Sequence, residues 1–90
     1  MILEFLPEVT RYYEERVSGL GLRFRLELET ACAAVARQPM LWRQRKGSFR
    51  RINLPAFPYY IAYFIRNETV FVAAVAHAKR HPDYWKRRLV

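Results

Sequence analysis

The first half of the chain carries hydrophobic residues at helical spacing. Four of them recur at intervals of four, three and four positions, which places them on one face of a helix. These residues are Phe24, Leu28, Ala31 and Val35. The pattern predicts a helix from about Gly21 to Arg37. We expect this helix to end at Gln38, because the residue before a proline disfavours helical geometry.

The residues before this helix predict a strand and another helix. Residues 2–6 are mostly apolar and indicate a short strand ended by Pro7. The chain from Glu8 to about Ser18 predicts a helix, because proline suits a helix start and glutamate stabilises the positive end of the helix dipole. The two helices, joined through Gly19, would form an antiparallel hairpin.

Beyond the hairpin the hydrophobic period changes from that of a helix to that of a strand. Alternating or continuous apolar runs predict strands over 45–54, 59–65 and 70–76. Asn67-Glu68 indicates a hairpin turn between the last two strands, and Pro82-Asp83 predicts a final helical turn.

These elements predict one α+β domain over residues 1–90, with the order β-α-α-β-β-β and a short C-terminal tail. The helical hairpin should pack on one face of a small antiparallel sheet and bury its apolar stripe there. The opposite face of the sheet retains a surplus of apolar side chains. We therefore expect a partner protein to cover that face.

Charge is distributed unevenly along the chain. The net charge is +8, yet residues 1–42 carry five basic and six acidic side chains, whereas residues 43–90 carry eleven basic and two acidic ones. Such a basic half attracts polyanions or an acidic protein. The alternative is a basic surface that serves only solubility.

The segment 43–51 concentrates this charge. Five of its nine residues are cationic, namely Arg43, Arg45, Lys46, Arg50 and Arg51. Arginine forks bind phosphates, so these residues are candidates for binding nucleic acid or another target, and His77 joins them at the end of the last strand. A charged edge strand that prevents aggregation is the alternative interpretation.

The end of the last strand contains side chains that an RNA-cleaving site could use. Lys79, Arg80 and Tyr84, together with Arg51, could move protons and stabilise a phosphorane. Packing against the sheet is the alternative role for Tyr84 and Trp85. Core packing is likewise expected to outweigh base stacking for the tyrosines Tyr59, Tyr60 and Tyr63.

The sequence offers little for metal, cofactor or membrane chemistry. The single Cys32 excludes an internal disulfide, and with only two histidines we expect no metal site and no cofactor. We see neither a signal peptide nor an apolar run of the length that crosses a bilayer. We therefore expect a cytoplasmic protein that does not contact a membrane.

Segments 50–63 and 72–85 resemble the later strands and the tail of the RelE/ParE superfamily. The second of them ends in the phrase His81-Pro-Asp-Tyr-Trp85. The resemblance implies a toxin of a type II toxin–antitoxin system, of the kind linked to plasmid stabilization and growth inhibition. It also implies an acidic antitoxin encoded by the adjacent gene, with operator DNA contacted indirectly through that antitoxin.

The superfamily divides by activity. RelE-like members are metal-independent endoribonucleases that cut mRNA on the ribosome, and the resemblance would give this role to Arg51, Lys79, Arg80 and Tyr84. ParE-like members are not enzymes and inhibit DNA gyrase and replication. Asn53 and Tyr60 stand where RelE-like members carry cations, which favours the ParE-like interpretation. A non-toxic nucleic-acid-binding or structural module of the same fold is a third hypothesis.

Overall fold

The computed structural model describes residues 6–86, and the elements in that range follow the predicted order. The strand predicted over 2–6 lies outside the described residues, apart from Leu6, which begins the first helix. No helix within residues 6–86 is long and apolar enough to cross a membrane.

The two long helices form the predicted hairpin. Helix α1 spans Leu6–Arg16 and helix α2 spans Leu20–Arg37. The connection between them is closed by the Glu14 carboxylate, which accepts the backbone N–H of Gly19 at 2.9 Å and of Gly21 at 3.0 Å. Gly21 also lets the helices approach closely, because a Cβ there would lie 2.7 Å from the Thr10 carbonyl oxygen of α1.

The described part of the sheet has three antiparallel strands in the order β1-β2-β3. They are β1 (Arg50–Asn53), β2 (Tyr59–Arg66) and β3 (Thr69–His77). Asn67 and Glu68 connect β2 to β3 and both adopt positive φ, at 50° and 65°. This is the geometry of a two-residue turn whose twist matches that of the flanking strands, so the predicted hairpin turn is confirmed.

The strand predicted over 45–54 is shorter than expected. Arg45 and Phe49 form only an isolated bridge, and the residues between them make a tight turn. Gly47 and Ser48 adopt positive φ there, at 93° and 64°. The prediction was wrong in this respect because charged alternation was taken for a strand where the Gly-Ser pair makes a turn.

The helical hairpin covers one face of the sheet, as predicted. The core on that face is made of Phe24, Leu28, Ala31, Leu54, Phe57, Ile61 and Val75. Aromatic rings dominate its outer end, where Phe24 meets Phe57 edge-on with the ring centroids 5.1 Å apart. The i, i+4, i+7 stripe of α2 thus packs against alternate residues of β2 and β3.

The opposite face of the sheet is also covered, and it does not carry the expected apolar surplus. A short helix α3 (Asp83–Lys86) brings Trp85 back over the sheet, where it is 1% exposed and packs against Phe49 at 5.2 Å between centroids. The Trp85 indole N–H donates to the Tyr60 hydroxyl at 2.9 Å. The prediction counted the apolar residues of the strands without allowing for an aromatic tail that folds onto them.

Exposed apolar side chains lie instead on the helical hairpin, the segment after it and the outer part of β3. They are Tyr12, Val17, Leu22, Leu26, Met40, Leu41 and Phe71. Any apolar contact with a partner is therefore expected on these surfaces, away from the covered face of the sheet.

Candidate nucleic-acid and target interface

Cationic side chains line a cleft of about 820 Å³ between the turn at 45–49, strand β1 and helix α3. We call it the basic cleft. Its cations are Arg43, Arg45, Lys46, Arg51 and Lys86, and its other lining residues include Gly47, Phe49, His81 and Asp83. Four of the five cations belong to the segment that the sequence predicted to bind polyanions. Lys86 was missed.

Lys86 reaches the basic cleft because α3 folds back onto the turn. Its ammonium lies 4.6 Å from the centroid of the Phe49 ring, a cation–π distance, and 3.5 Å from the Lys46 carbonyl oxygen. A Cβ at Gly47 would stand 2.8 Å from this ammonium, so the glycine leaves room for the lysine. The helical turn predicted at Pro82-Asp83 was the signal that could have placed Lys86 here.

Arg51 is a partly buried cation of the cleft. Its guanidinium lies 4.6 Å above the Tyr60 ring, and its buried Nε makes no hydrogen bond within residues 6–86. An unsatisfied buried donor costs about 1–3 kcal/mol. Stacking on Tyr60 therefore holds the side chain, while the unpaired Nε lowers the stability of the fold. No carboxylate within residues 6–86 forms an ion pair with its charge.

The cations of the basic cleft repel one another. Burial lowers the pKa of the Arg45 guanidinium, and the charges of Arg51 and Arg43 lower it further. Within residues 6–86 none of the five cations forms an ion pair with a carboxylate. The carboxylate of Asp83, which also lines the cleft, lies 3.4 Å from Nδ1 of His81 instead. The cleft therefore keeps a concentrated positive field.

Two predicted target-binding residues lie elsewhere. Arg50 is directed to the opposite face of the sheet from Arg51, because neighbouring residues of a strand alternate, and it donates to the Trp42 carbonyl. His77 lies beside Tyr59, with ring centroids 5.1 Å apart, in a groove against α1. Arg50 fixes the segment that leads into the basic cleft, whereas His77 belongs to the helix side.

The residues of the predicted RNA-cleaving set are not gathered around one depression. Arg80 stacks on the Tyr84 ring at 3.8 Å, and these two line a shallow depression that does not include Arg51. The Tyr84 hydroxyl accepts the backbone N–H of His77 at 3.0 Å. Lys79 is exposed, with its backbone N–H donated to His77 Nδ1. Tyr84 thus ties the tail to the end of β3.

Asn53 and Tyr60 are direct partners across β1 and β2. Tyr60 is 0% exposed and its hydroxyl is occupied by Trp85. Tyr63 is equally buried and donates to the Pro39 carbonyl at 2.7 Å. These tyrosines belong to the core, as the alternation of β2 predicted, and neither supplies a surface for stacking bases.

Two apolar grooves flank the helical hairpin. One, of about 780 Å³, runs along α1 and includes Tyr12 and Val17. The other, of about 300 Å³, lies between α2 and β1 and includes Leu26 and Ile52. The exposed parts of both grooves are mainly apolar, and none of the five cations of the basic cleft lines either groove, so the most cationic surface lies apart from them.

Comparison with known proteins identifies the family. A family model described as the ParE toxin of the type II toxin–antitoxin system parDE matches residues 3–82. No curated protein and no solved structure matches the chain. The family match includes the hairpin, all three described strands and most of the basic cleft, and the family implies an antitoxin partner. The chain belongs to the ParE toxin family of type II toxin–antitoxin systems.

Proposed function

We propose that this protein, as a single domain, inhibits DNA gyrase by binding it, without catalysing a reaction. The observation that carries the proposal is the arrangement of the predicted RNA-cleaving residues. Arg51 lies in the basic cleft, Arg80 and Tyr84 line a separate depression, and the buried Tyr60 of β2 stands where RelE-like members carry a cation. A phosphoryl-transfer site requires its cations and proton donors around one phosphate.

The engagement of Tyr84 supports the same conclusion. Its hydroxyl accepts a backbone hydrogen bond from β3, and its ring is covered by Arg80. A general acid must lie within hydrogen-bonding reach of the leaving oxygen. The contact fixes the phenol at the end of β3, beside Arg80 and apart from the cleft that contains Arg51.

We further propose that the antitoxin is an acidic protein encoded by the adjacent gene and neutralises the toxin by covering its surface. Exposed apolar residues on the hairpin, such as Leu22 and Leu26, would form the apolar centre of that interface. The positive charge of the C-terminal half would attract the acidic partner. Operator DNA would then be contacted mainly through the antitoxin. A protein with these partners acts in the cytoplasm.

A RelE-like endoribonuclease is the second candidate, because the basic cleft could also hold mRNA. His81 and Asp83 border both the basic cleft and the depression at Tyr84, so the two sites adjoin. In this alternative Arg51, Lys79, Arg80 and Tyr84 would act together on a phosphate spanning that border.

Expression of the toxin without its antitoxin in a bacterial host separates these functions. Under our proposal growth stops, a reporter plasmid becomes relaxed and messages remain intact. Arg80→Ala and Tyr84→Phe should still stop growth. Messages cut within reading frames, with growth restored by Arg80→Ala and Tyr84→Phe, would instead establish the endoribonuclease. Normal growth at full expression of folded protein would leave the non-toxic module as the remaining function.

A further inference from the structure

The basic cleft brings together positive charges from separate parts of the fold. It joins five cations from three elements, and within residues 6–86 their charges have no carboxylate partner. Among the same residues, the buried Nε of Arg51 also has no acceptor. Like charges held this close repel one another, which lowers the stability of the free protein. An anion bound among them would relieve that repulsion.

The cations are positioned by the backbone and by aromatic rings. Arg45 closes the tight turn, its N–H donating to the Phe49 carbonyl at 2.7 Å. Phe49 in turn supports the Lys86 ammonium, and Tyr60 supports the Arg51 guanidinium. Side chains held in this way lose less conformational freedom when a ligand binds.

The surroundings of the cleft favour a phosphate backbone over an acidic polypeptide or unpaired bases. The Phe49 ring in its lining is 3% exposed and offers no surface for stacking a base, so the exposed imidazole of His81 is the ring among the described lining residues that a base could reach. None of the large exposed hydrophobic residues lines the cleft. A protein partner would need such residues at the centre of its interface, and they lie on the hairpin, at Met40 and Leu41 after it, and on β3.

We propose that the toxin itself binds the phosphate backbone of duplex DNA in the basic cleft, through Arg43, Arg45, Lys46, Arg51 and Lys86. The choice of DNA over RNA rests on the proposed function, since gyrase holds duplex DNA while it works. The contact would be independent of base sequence, because contacts to phosphates carry no sequence information directly.

Fluorescence anisotropy with a labelled 20-base-pair DNA duplex of arbitrary sequence, of about two helical turns, tests this site. The test variant is Arg43→Gln/Lys46→Gln/Lys86→Gln. The matched control, Arg11→Gln/Arg25→Gln/Arg37→Gln, removes the same charge from exposed positions of the helical hairpin. Binding is measured at several salt concentrations, and urea unfolding verifies that both variants are folded.

The wild type and the control should bind alike, with affinity that falls as salt rises. The cleft variant should bind at least about tenfold more weakly. Its slope of log affinity against log salt should be smaller in magnitude by about 2–3, since each lost phosphate contact contributes about 0.9. Equal losses in both variants would reduce the effect to net charge and overturn the proposal.

Two further probes decide the ligand class. A deca-glutamate peptide that binds more tightly than the DNA duplex at the same salt would assign the cleft to an acidic polypeptide. An RNA duplex of the same sequence that binds tenfold more tightly than the DNA would overturn the choice of DNA. Gyrase inhibition is measured separately, so that a toxin which inhibits gyrase without binding DNA would refute this inference and leave the proposed function intact.

Discussion

At the scale of single residues, the buried Tyr60 organises the face of the sheet that carries the basic cleft. Tyr60 has one ring face under Arg51 and its hydroxyl bonded to Trp85. One side chain therefore connects a cleft cation, the central strand and the C-terminal helix. The sequence predicted core packing for Tyr60, and the structure gives this residue the connecting role in addition.

Tyr60→Phe tests this connection. Removal of the hydroxyl leaves the buried Trp85 N–H without its acceptor, so we expect a loss of about 1–3 kcal/mol in the free energy of unfolding. Urea denaturation measures the loss. In a Trp85→Phe background the same substitution should cost clearly less, and equal costs in both backgrounds would show that the hydrogen bond contributes nothing.

Tyr63 predicts a dependence of stability on alkaline pH. Burial raises the pKa of Tyr63, with Arg50 acting weakly in the opposite direction. Because the folded pKa exceeds the unfolded value of about 10, this stabilisation is complete below pH about 10 and is lost as pH rises through the folded pKa. The hydroxyl also donates to the Pro39 carbonyl, which the ionised form cannot do.

The free energy of unfolding of the wild type should therefore fall as pH rises above about 10, and it should fall less in Tyr63→Phe. Denaturation at several pH values measures the difference. Identical pH profiles for the two proteins would mean that ionisation of Tyr63 is not linked to folding.

At the scale of elements, the close contact of the two long helices depends on Gly21. A Cβ at this position would stand 2.7 Å from the Thr10 carbonyl oxygen and 3.1 Å from the Glu14 carboxylate. The helices would have to separate to accommodate it. This contact also keeps Glu14 close to the two amide donors of the connecting turn.

Gly21→Ala should lower the free energy of unfolding by about 1–2 kcal/mol, although alanine is the better helix former by about 1 kcal/mol. Gly19→Asn is the control, because nothing lies within 4 Å of a Cβ there and asparagine tolerates the left-handed backbone. Thermal and urea unfolding measure both variants. A stabilised Gly21→Ala would contradict the close helix packing.

Sequence patterns predicted the elements with regular periods and missed those fixed by distant contacts. The stripe of α2 and the apolar runs of β2 and β3 specify their own burial, so these elements were predicted within a few residues. Trp85 and Lys86 acquire their roles only when α3 meets the turn at 45–49. A local hydrophobic period carries no information on that contact. The part of the candidate site in segment 43–51 was therefore predicted, and the part that α3 supplies was not.

At the scale of the whole molecule, apolar and cationic surfaces are separated. The hairpin bears exposed apolar residues and most of the acidic ones, whereas the turn at 45–49 and the C-terminal segment bear the cations. A protein partner and a polyanion can therefore occupy different surfaces. This division favours a toxin that works by holding its target.

Leu22→Gln/Leu26→Gln tests the apolar surface of the hairpin. Both side chains are more than half exposed, so the substitution should change the free energy of unfolding by less than about 0.5 kcal/mol. Affinity for the antitoxin should fall at least tenfold, because two central apolar contacts are lost. Calorimetric titration measures the affinity, with Arg25→Gln on the same helix as control. Unchanged affinity would place the antitoxin elsewhere.

The most direct test of the proposed function is a gyrase supercoiling assay with purified toxin. We expect inhibition to be complete near one toxin per gyrase subunit pair, to persist in Arg80→Ala and Tyr84→Phe, and to be reversed by added antitoxin. Full supercoiling activity at a stoichiometric excess of folded toxin, together with cleavage of mRNA on ribosomes, would contradict a toxin that acts by binding gyrase.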